Sequence, residues 1–341
     1  MIKGLVNLIT PAYNSANFIF RLLDSVLSQT YPMIKMYIVD DGSTDNTREV
    51  IENYMHSFSN KGYELVYVYQ ENTGQSYAIN NALKMVDGEF LLWPDSDDWY
   101  KSPVAIEKLV GALSGFDDEV GVVRCRYDLV SDPDFQVVRT TSFANYGIPE
   151  DLLEDAVYER NGFLWPPGGW IIKAKFLDKF IPGRNIYTER YAGQNSQLLF
   201  PYFLNSKCVT INDVLYCYWL RESSESRGEG FEQQKERIEA YIRTWLSECD
   251  YIAKVADNYK FDEYKKQRLG LYYFCLLKND IDYKITSSFR HHIKECKSLG
   301  VSLPKRYRKL DWWTKLFDLQ SYYLIEETSS NLRGLMCRQH N

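Results

Sequence analysis

The chain has 341 residues, 45% of them hydrophobic, which is enough for a sizeable core and about two domains. Its net charge of −6 is divided unevenly: residues 1–230 carry −11, and residues 231–341 carry +5. The acidic part argues against a nucleic-acid partner, and the basic part would favour an anionic surface only weakly.

The first hundred residues alternate between strand and helix signals. Four compact apolar runs are predicted to be strands, namely residues 5–10, 36–41, 65–70 and 89–93. Apolar residues at helical spacing predict helices after the first three strands, at 18–27, from Val50 to Tyr54 and at 74–86. Strands that are apolar along their whole length imply helices on both faces of a sheet. We therefore predict an α/β fold with a doubly wound, mostly parallel sheet.

Polar residues follow each of the four strands at the point where the strand ends. In such sheets, ligands bind at the carboxyl ends of the strands. We therefore expect four loops to line one crevice: Pro11-Ala12-Tyr13-Asn14, Asp40-Asp41-Gly42-Ser43, Asn72-Thr73-Gly74 and Asp95-Ser96-Asp97-Asp98.

The fourth loop contains three carboxylates within four residues, Asp95, Asp97 and Asp98. They repel one another unless a cation or a set of hydrogen-bond donors neutralises them. Mg²⁺ and Mn²⁺ take oxygen ligands and typically use one or two protein carboxylates together with substrate phosphates. The loop therefore predicts a metal that holds a diphosphate. A solvated turn, in which Asp98 caps the next helix, is the alternative.

The second loop doubles an acid before glycine, at Asp40 and Asp41. A carboxylate there can accept a hydrogen bond from a base N–H, and Tyr13 on the neighbouring loop can stack on the same base. The alternative is that Tyr13 is a packing residue and that residues 43–46 are ordinary helix caps.

Five segments in this order, PAYN (11–14), SVLSQTYP (25–32), VDDGSTDNT (39–47), ENTGQSYAINNAL (71–83) and PDSDDWY (94–100), resemble the family 2 glycosyltransferases, inverting enzymes of the GT-A fold. The resemblance implies a metal-dependent hexosyltransferase that uses a nucleotide diphosphate sugar. UDP is the expected nucleotide because the pairing of Tyr13 and Asp41 suits a uracil, and GDP and dTDP are the alternatives. The resemblance also implies Mn²⁺ or Mg²⁺ as cofactor, bound by Asp97 and Asp95. The implied nucleotide contacts are Pro11, Ala12, Tyr13, Asn14, Asp41, Asn72, Asn80, Asp95 and Ser96.

Two positions depart from the family pattern. Where many members carry an arginine that favours the diphosphate, this chain has Ile79, followed by the retained Asn80. Inversion needs a general base that takes the proton of the acceptor hydroxyl. At the position where many family members carry this base, the chain has Asn195, an amide that cannot take up a proton but can contact hydroxyls. We predict Glu189 as the replacement base; an exposed loop acid is the alternative.

A second set of motifs resembles family members of bacterial surface and capsular polysaccharide assembly. It comprises a Gly-Gly loop, Glu189, GQNSQ (193–197) and LYCYWLR (215–221). The expected acceptor is a saccharide or a lipid-linked saccharide. The acceptor or sugar contacts implied are Gly168, Gly169, Trp170, Gln194 and Arg221, and Arg227 joins Arg221 as a candidate for the diphosphate. A tight turn with buried tryptophans is the alternative for residues 165–170.

We predict three regions: residues 1–100 and 101–228 as the nucleotide-sugar and acceptor halves of the GT-A domain, and residues 229–341 as a helical extension. The basic segment 305–317 is interpreted either as a helix that contacts anionic lipid, or as one packed on its own domain or on a second subunit of a homodimer. Seven scattered cysteines, a start without a signal-peptide core and no apolar run of ~20 residues predict a cytoplasmic protein, at most peripheral on the inner face of the plasma membrane.

Two other functions stay open from the sequence. A nucleotidyltransferase would need a glycine-rich, basic phosphate loop, and PAYNSANF (11–18) has neither the glycines nor the basic residues. A non-catalytic nucleotide-sugar-binding protein is the other alternative, because Asn195 stands where a base is expected.

Overall fold

A computed structural model describes residues 1–221, 230–255, 261–315 and 318–320. They form two compact units: the sheet unit (residues 1–221 and 246–255) and the helical unit (residues 230–245, 261–315 and 318–320). The predicted boundary between residues 228 and 229, and Arg227, lie outside the described residues. Residues 246–255 belong to the sheet unit, although the sequence assigned them to the helical extension.

The first part of the sheet unit confirms the predicted alternation of strands and helices. Its elements are β1 (Ile2–Ala12), α1 (Ile19–Leu27), β2 (Ile34–Asp41), α2 (Thr47–Lys61), β3 (Glu64–Gln70), α3 (Gln75–Leu83) and β4 (Gly88–Leu92). Local chemistry explains these elements: α1 buries Ile19, Leu22, Leu23 and Val26 on one face, as the apolar spacing predicts. The helix α2 ends at Gly62, whose φ of 82° suits a glycine after a helix.

The second part of the sheet unit is less regular. It contains β5 (Trp99–Tyr100), α4 (Ala105–Ser114), β6 (Val120–Ser131), β7 (Val137–Thr140), β8 (Pro149–Glu150), α5 (Leu153–Tyr158), β9 (Trp170–Lys173), α6 (Leu177–Phe180), α7 (Gln194–Asn205) and β10 (Lys207–Leu220). Both predicted halves of the domain contribute strands to the same sheet.

Within the described ranges, ten strands form one sheet in the order β3-β2-β1-β4-β9-β6-β10-β5, with β7 beside β6 and β8 beside β10. Strands β1 to β4 are parallel to their neighbours in this group, and β9 is antiparallel between β4 and β6. The chain adds β2 and β3 on one side of β1 and then returns to place β4 on the other side. Such a reversal creates a crevice at the carboxyl edge, where α/β proteins bind ligands.

The helical unit confirms the helical pattern predicted from residue 230 onward. It contains α9 (Phe261–Asp282), α10 (Thr286–Ser298) and α11 (Lys305–Thr314), and α8 (Phe231–Val255) contributes residues to both units. In the interior of the helical unit, Nδ1 of the buried His292 lies 2.6 Å from the Asp280 carboxylate.

The helix α11 packs within the helical unit through part of its surface. Leu310 is buried, and the ring of Tyr307 stacks on Phe274 with 5.7 Å between ring centres. Trp312 is 61% exposed. This packing agrees with the interpretation of a helix packed on its own domain; lipid contact stays a prediction, and residues 316–317 lie outside the described part. In the described part of the chain, no helix is both long enough and apolar enough to span a bilayer.

Candidate active site

The loops after β1, β2, β3 and β4 meet at the carboxyl edge of the sheet and line a cavity of about 360 Å³. This placement is the one predicted from the parallel strand pattern. Eleven residues singled out in the sequence line the cavity: Pro11, Ala12, Tyr13, Asn14, Asp41, Asn72, Gly74, Asp95, Ser96, Asp97 and Arg221.

Hydrogen bonds tie the first loop to the second and fourth loops. Asn14, at a left-handed φ of 46°, donates its backbone N–H to Ser43 Oγ at 2.9 Å, and its side-chain oxygen accepts the N–H of Thr44 at 2.9 Å. Ser15 Oγ lies 3.1 Å from Ser96 Oγ. Tyr13, held between these contacts, is 42% exposed and lines the cavity. The loop therefore presents an aromatic face from a fixed backbone.

Asp41 ties the second loop to the third. Its Oδ1 accepts hydrogen bonds from the Thr73 N–H at 2.9 Å and from Gln70 Nε2 at 2.7 Å, and its Oδ2 accepts the Gly74 N–H at 2.8 Å. Gly74 has a φ of 112°, and a Cβ there would approach the backbone oxygen of Arg190 to 2.9 Å, so the loop requires glycine. Asp41 is thus held in place by three donors, and its contact with a base stays a prediction.

Asp40 has a structural role. It is 1% exposed and accepts hydrogen bonds from the Ser43 N–H at 2.8 Å and from the Tyr67 hydroxyl at 2.7 Å. Both partners satisfy a carboxylate that the core would otherwise leave without hydrogen bonds.

The acidic turn 95–98 distributes its charges among different partners. Asp95 Oδ1 accepts hydrogen bonds from Gln75 Nε2 at 3.0 Å and from Gln194 Nε2 at 3.4 Å. Asp97 Oδ2 lies 3.0 Å from Arg221 Nη2. The contact from Gln75 also joins the third loop to the fourth, which completes a closed ring of hydrogen bonds around the cavity. Such cross-linking holds a site in its working geometry before a ligand arrives.

Asp98 differs from the other two acids because it is only 1% exposed. The sequence left open that it caps the next helix, and that expectation is wrong. Its Oδ1 accepts the Trp219 N–H at 2.9 Å, and its Oδ2 accepts the Tyr216 hydroxyl at 2.8 Å. Burial, followed by the charges of Asp97 and Asp95, raises the pKa of the Asp98 carboxyl well above its usual range. Asp98 therefore anchors β10 to the acidic turn.

The donor set of this turn fits a hard divalent cation. One carboxylate oxygen from each of Asp95, Asp97 and Asp98 can be chosen so that all three lie within 4.8 Å of one another. Asp95 and Asp97 are half-buried and line the cavity, whereas both oxygens of Asp98 already accept hydrogen bonds. Asp95 and Asp97 are therefore the residues that would hold Mn²⁺ or Mg²⁺, and their role as metal ligands stays a prediction.

The Gly-Gly loop and Trp170 do not line the cavity, and the structure corrects their predicted role in sugar binding. A Cβ on Gly168 would lie 2.1 Å from a ring carbon of Tyr216, so this glycine makes room for a core side chain. Gly169 is buried beside Tyr127 and Cys125. Trp170 is 2% exposed and packs in an aromatic cluster of the core. The alternative of a tight turn with a buried tryptophan describes this segment better.

Asn80 and Gln194 also contact protein groups. The Asn80 amide binds the backbone of Ile186 at both ends, accepting its N–H at 2.8 Å and donating to its C=O at 2.9 Å, and Asn80 is not among the cavity-lining residues of the described chain. This pairing gives Asn80 a structural role instead of the predicted nucleotide contact. Gln194, 3% exposed, reaches the cavity only through Asp95. It therefore supports the acidic turn, and a direct contact with the acceptor stays a prediction.

Asn195 and Glu189, predicted for catalysis, lie beside the cavity. The Asn195 side-chain oxygen accepts the Trp93 indole N–H, and its Nδ2 donates to the Trp165 carbonyl, both at 2.9 Å. The backbone carbonyl of Glu189 accepts the Ser76 hydroxyl at 3.1 Å, and its side chain is half-buried. Neither residue lines the cavity in the part of the chain that the structure describes. Asn195 thus joins Trp93, the residue after β4, to Trp165.

Six cavity residues were not predicted as ligand contacts, although several lie next to predicted ones. Gly74 and Gln75 fall in the third-loop motif, and Tyr218 and Trp219 fall in LYCYWLR. Arg190 follows Glu189 directly and brings a positive charge to the cavity. Ile79, by contrast, is buried at 1% exposure and is not among the lining residues that the structure describes. Phe18 carried a helix signal alone. The six residues are Phe18, Gly74, Gln75, Arg190, Tyr218 and Trp219.

Comparison with known protein families identifies the family of the chain. Residues 7–179, about half of the chain, match the model of the family "Glycosyl transferase family 2". Two Streptococcus pneumoniae proteins are 30% identical: glycosyltransferase GlyA over 67% of this chain and 32% of GlyA, and glycosyltransferase GlyG over 66% of this chain and 74% of GlyG. The chain belongs to glycosyl transferase family 2. It spans about a third of the length of GlyA and of two other curated relatives that it matches.

Solved structures establish the fold. S. aureus TarS 1–349, solved with UDP-GlcNAc, superposes with a TM-score of 0.65 at 22% identity over 96% of this chain and 92% of TarS 1–349. The mannosyltransferase PcManGT from Pyrobaculum calidifontis, solved with GDP-Man and Mn²⁺, gives a TM-score of 0.52 at 18% identity over 97% of this chain and 88% of PcManGT. The fold is the GT-A fold with a helical C-terminal part, as the sequence motifs implied.

Proposed function

We propose that the protein transfers a sugar from a nucleotide diphosphate sugar to a hydroxyl group of a saccharide or lipid-linked saccharide, with inversion at the anomeric carbon. The observation that carries the proposal is the convergence of Tyr13, Asp41, Asp95 and Asp97 in one cavity at the carboxyl edge of the sheet. Its volume of about 360 Å³ falls within the range of roughly 300–1,000 Å³ that is usual for small-molecule sites.

The nucleotide end of the donor is assigned to the first and second loops. Tyr13 offers an exposed aromatic face for stacking on the base, and Asp41, held in place by its three donors, lines the same cavity as the proposed acceptor of a base N–H. Asp95 and Ser96 are assigned to the ribose. We propose UDP as the nucleotide. Support comes from TarS, a protein with the same fold that was solved with UDP-GlcNAc and with UDP.

The diphosphate end is assigned to the acidic turn and the two arginines of the cavity. Asp97 and Asp95 would hold Mn²⁺ or Mg²⁺, and a cation there would offset the charge of the departing nucleoside diphosphate. Arg190 and Arg221 line the same cavity and supply positive charge toward the phosphates. Together they replace the arginine that many family members carry where this chain has Ile79.

Inversion requires a base that accepts the proton of the attacking hydroxyl. The carboxylates of the cavity, Asp41, Asp95 and Asp97, are assigned to the nucleotide and the cation. We therefore keep Glu189, beside the cavity-lining Arg190, as the proposed base. Changing Glu189 to Gln should lower kcat about 100-fold or more and leave the donor Kd nearly unchanged, because proton transfer contributes typically 10²–10⁴-fold. Near-normal turnover would remove Glu189 from the mechanism.

The biological setting of the proposal is cell-surface polysaccharide synthesis. One curated relative, 40% identical over 99 residues (29% of this chain and 38% of the relative), is named putative teichuronic acid biosynthesis glycosyltransferase TuaG of Bacillus subtilis. That name supports a surface saccharide as acceptor class for this chain.

A thermal-shift screen of UDP, GDP and dTDP sugars with and without Mn²⁺ tests the donor and the cation together, because a ligand that binds the folded state raises its unfolding temperature. We expect a shift with a UDP-sugar that is larger with Mn²⁺ and is lost in an Asp97→Asn protein. Release of UDP only when a saccharide acceptor is added would support transfer. Donor binding without acceptor-dependent release would favour the alternative of a non-catalytic nucleotide-sugar-binding protein.

A further inference from the structure

The acidic turn contains an ion pair at the position assigned to the cation. Arg221 Nη2 lies 3.0 Å from Asp97 Oδ2, and the two side chains are only 20% and 18% exposed. Solvent therefore screens this pair less than a pair on the open surface. Asp97 is the carboxylate assigned to Mn²⁺ or Mg²⁺ above, so a protein cation already stands beside the proposed metal ligand.

Several contacts hold Arg221 at this position. Its guanidinium carbon lies 4.2 Å from the centre of the Phe18 ring, within the distance of a cation–π contact. Two residues earlier in the chain, the Trp219 N–H is bound to Asp98, and Asp98 also accepts the hydroxyl of Tyr216. The end of β10 is therefore anchored to the same turn that carries Asp97. The ion pair belongs to a built arrangement of the cavity wall.

Arg221 and a divalent cation would compete for Asp97. A divalent cation held by either oxygen of Asp97 would place a second positive charge at short range from a guanidinium that stays 3.0 Å from Oδ2. A cation bound in the absence of phosphate would thus weaken the ion pair between Arg221 and Asp97. In the presence of a diphosphate, the guanidinium would instead find phosphate oxygens, which match its planar set of donors.

We infer that Arg221 is the internal counter-ion of the metal site. Its guanidinium pairs with Asp97 when the cavity holds no ligand, and it moves to the diphosphate when nucleotide and cation bind together. The inference rests on the proposed function and adds a coupling to it. Mn²⁺ and UDP should bind cooperatively, and each must strengthen the binding of the other by the same factor, because linkage is reciprocal. Arg221 is the residue that sets part of this factor.

The test measures Mn²⁺ binding by electron paramagnetic resonance, with and without UDP, in the wild type and in Arg221→Gln, Arg221→Lys and Arg190→Gln proteins. We expect Arg221→Gln to bind Mn²⁺ alone about tenfold more tightly than the wild type, a change of about 1.4 kcal/mol. The factor by which UDP tightens Mn²⁺ binding should fall about tenfold in the same protein. Arg221→Lys keeps the charge and should stay close to the wild type.

The Arg190→Gln protein is the matched control, because it removes one positive charge from another wall of the same cavity. It measures the general electrostatic effect, and we expect a smaller change in Mn²⁺ affinity from it. If Arg221→Gln binds Mn²⁺ alone no more tightly than Arg190→Gln does, or keeps the wild-type coupling factor, the counter-ion role is overturned. If neither the wild type nor Arg221→Gln binds Mn²⁺ with or without UDP, the cation of the proposed function fails as well, and the two failures are distinguishable.

Discussion

The packing of Gly168 against Tyr216 makes a sharp prediction about stability. A Cβ at residue 168 would lie 2.1, 2.4 and 2.6 Å from Cε2, Cζ and the hydroxyl oxygen of Tyr216. Tyr216 is fully buried and donates its hydroxyl to Asp98 at 2.8 Å, so its ring has no open space into which to move. Changing Gly168 to Ala should therefore displace the ring and weaken a buried hydrogen bond.

The magnitude follows from these two effects. Overpacking a close-packed core costs about 1–3 kcal/mol, and an ordinary buried hydrogen bond contributes about 0.5–1.5 kcal/mol. We expect Gly168→Ala to lower the free energy of unfolding by about 1.5–4.5 kcal/mol. Gly169, in the same turn, is the matched control, because a Cβ there would meet its nearest neighbours at 3.7–3.8 Å, which is ordinary contact. Gly169→Ala should change the stability by less than about 1 kcal/mol.

Urea unfolding of both variants, followed by circular dichroism, measures the difference. A double-mutant cycle sharpens it: Tyr216→Leu removes all three clashing atoms, so adding Gly168→Ala to that variant should cost less than about 1 kcal/mol. Equal unfolding midpoints for Gly168→Ala and Gly169→Ala would refute the reasoning, and so would a full cost of Gly168→Ala in the Tyr216→Leu background.

Three further predictions concern the loops and the tail. Asp41→Asn should destabilise the protein by about 1–3 kcal/mol, because an amide cannot accept all three hydrogen bonds that the carboxylate accepts. The same change should abolish the thermal shift with UDP. A stable protein with wild-type UDP binding would contradict this prediction. Asn195→Asp restores the acid of many relatives. It should lower stability by about 1–3 kcal/mol without raising kcat, because a carboxylate would face the Trp165 carbonyl. A kcat above that of the wild type would count against this prediction. A vesicle co-sedimentation assay should find the protein unbound to anionic lipid at all salt concentrations, since α11 packs Tyr307 and Leu310 inside its own unit; salt-sensitive binding that a charge-neutralised 305–309 variant loses would reverse this expectation.

Local patterns in the sequence were sufficient to predict the first half of the sheet. Apolar runs and helical spacing lie within single elements, and they placed four strands and two helices within a few residues of their observed ends. The remaining helix, predicted from Val50 to Tyr54, lies inside the longer observed α2. Because parallel strands end at one edge, the same patterns predicted that Tyr13, Asp41 and Asp97 would line one cavity. The helical pattern after residue 230 was sufficient for the same reason.

Tertiary structure decided which residues face the cavity and which support it. Three contacts join segments that are far apart in the sequence and whose local patterns do not predict the pairing. They are the Gly168–Tyr216 contact, the Trp219–Asp98 hydrogen bond across 121 positions and the Trp93–Asn195 hydrogen bond across 102 positions. Periodicity reports which face of an element is buried, but it does not report the partner that covers that face. For that reason Gly168, Trp170 and Asn80 were assigned to ligands from their motifs, and only the packed chain shows that they contact other parts of the protein.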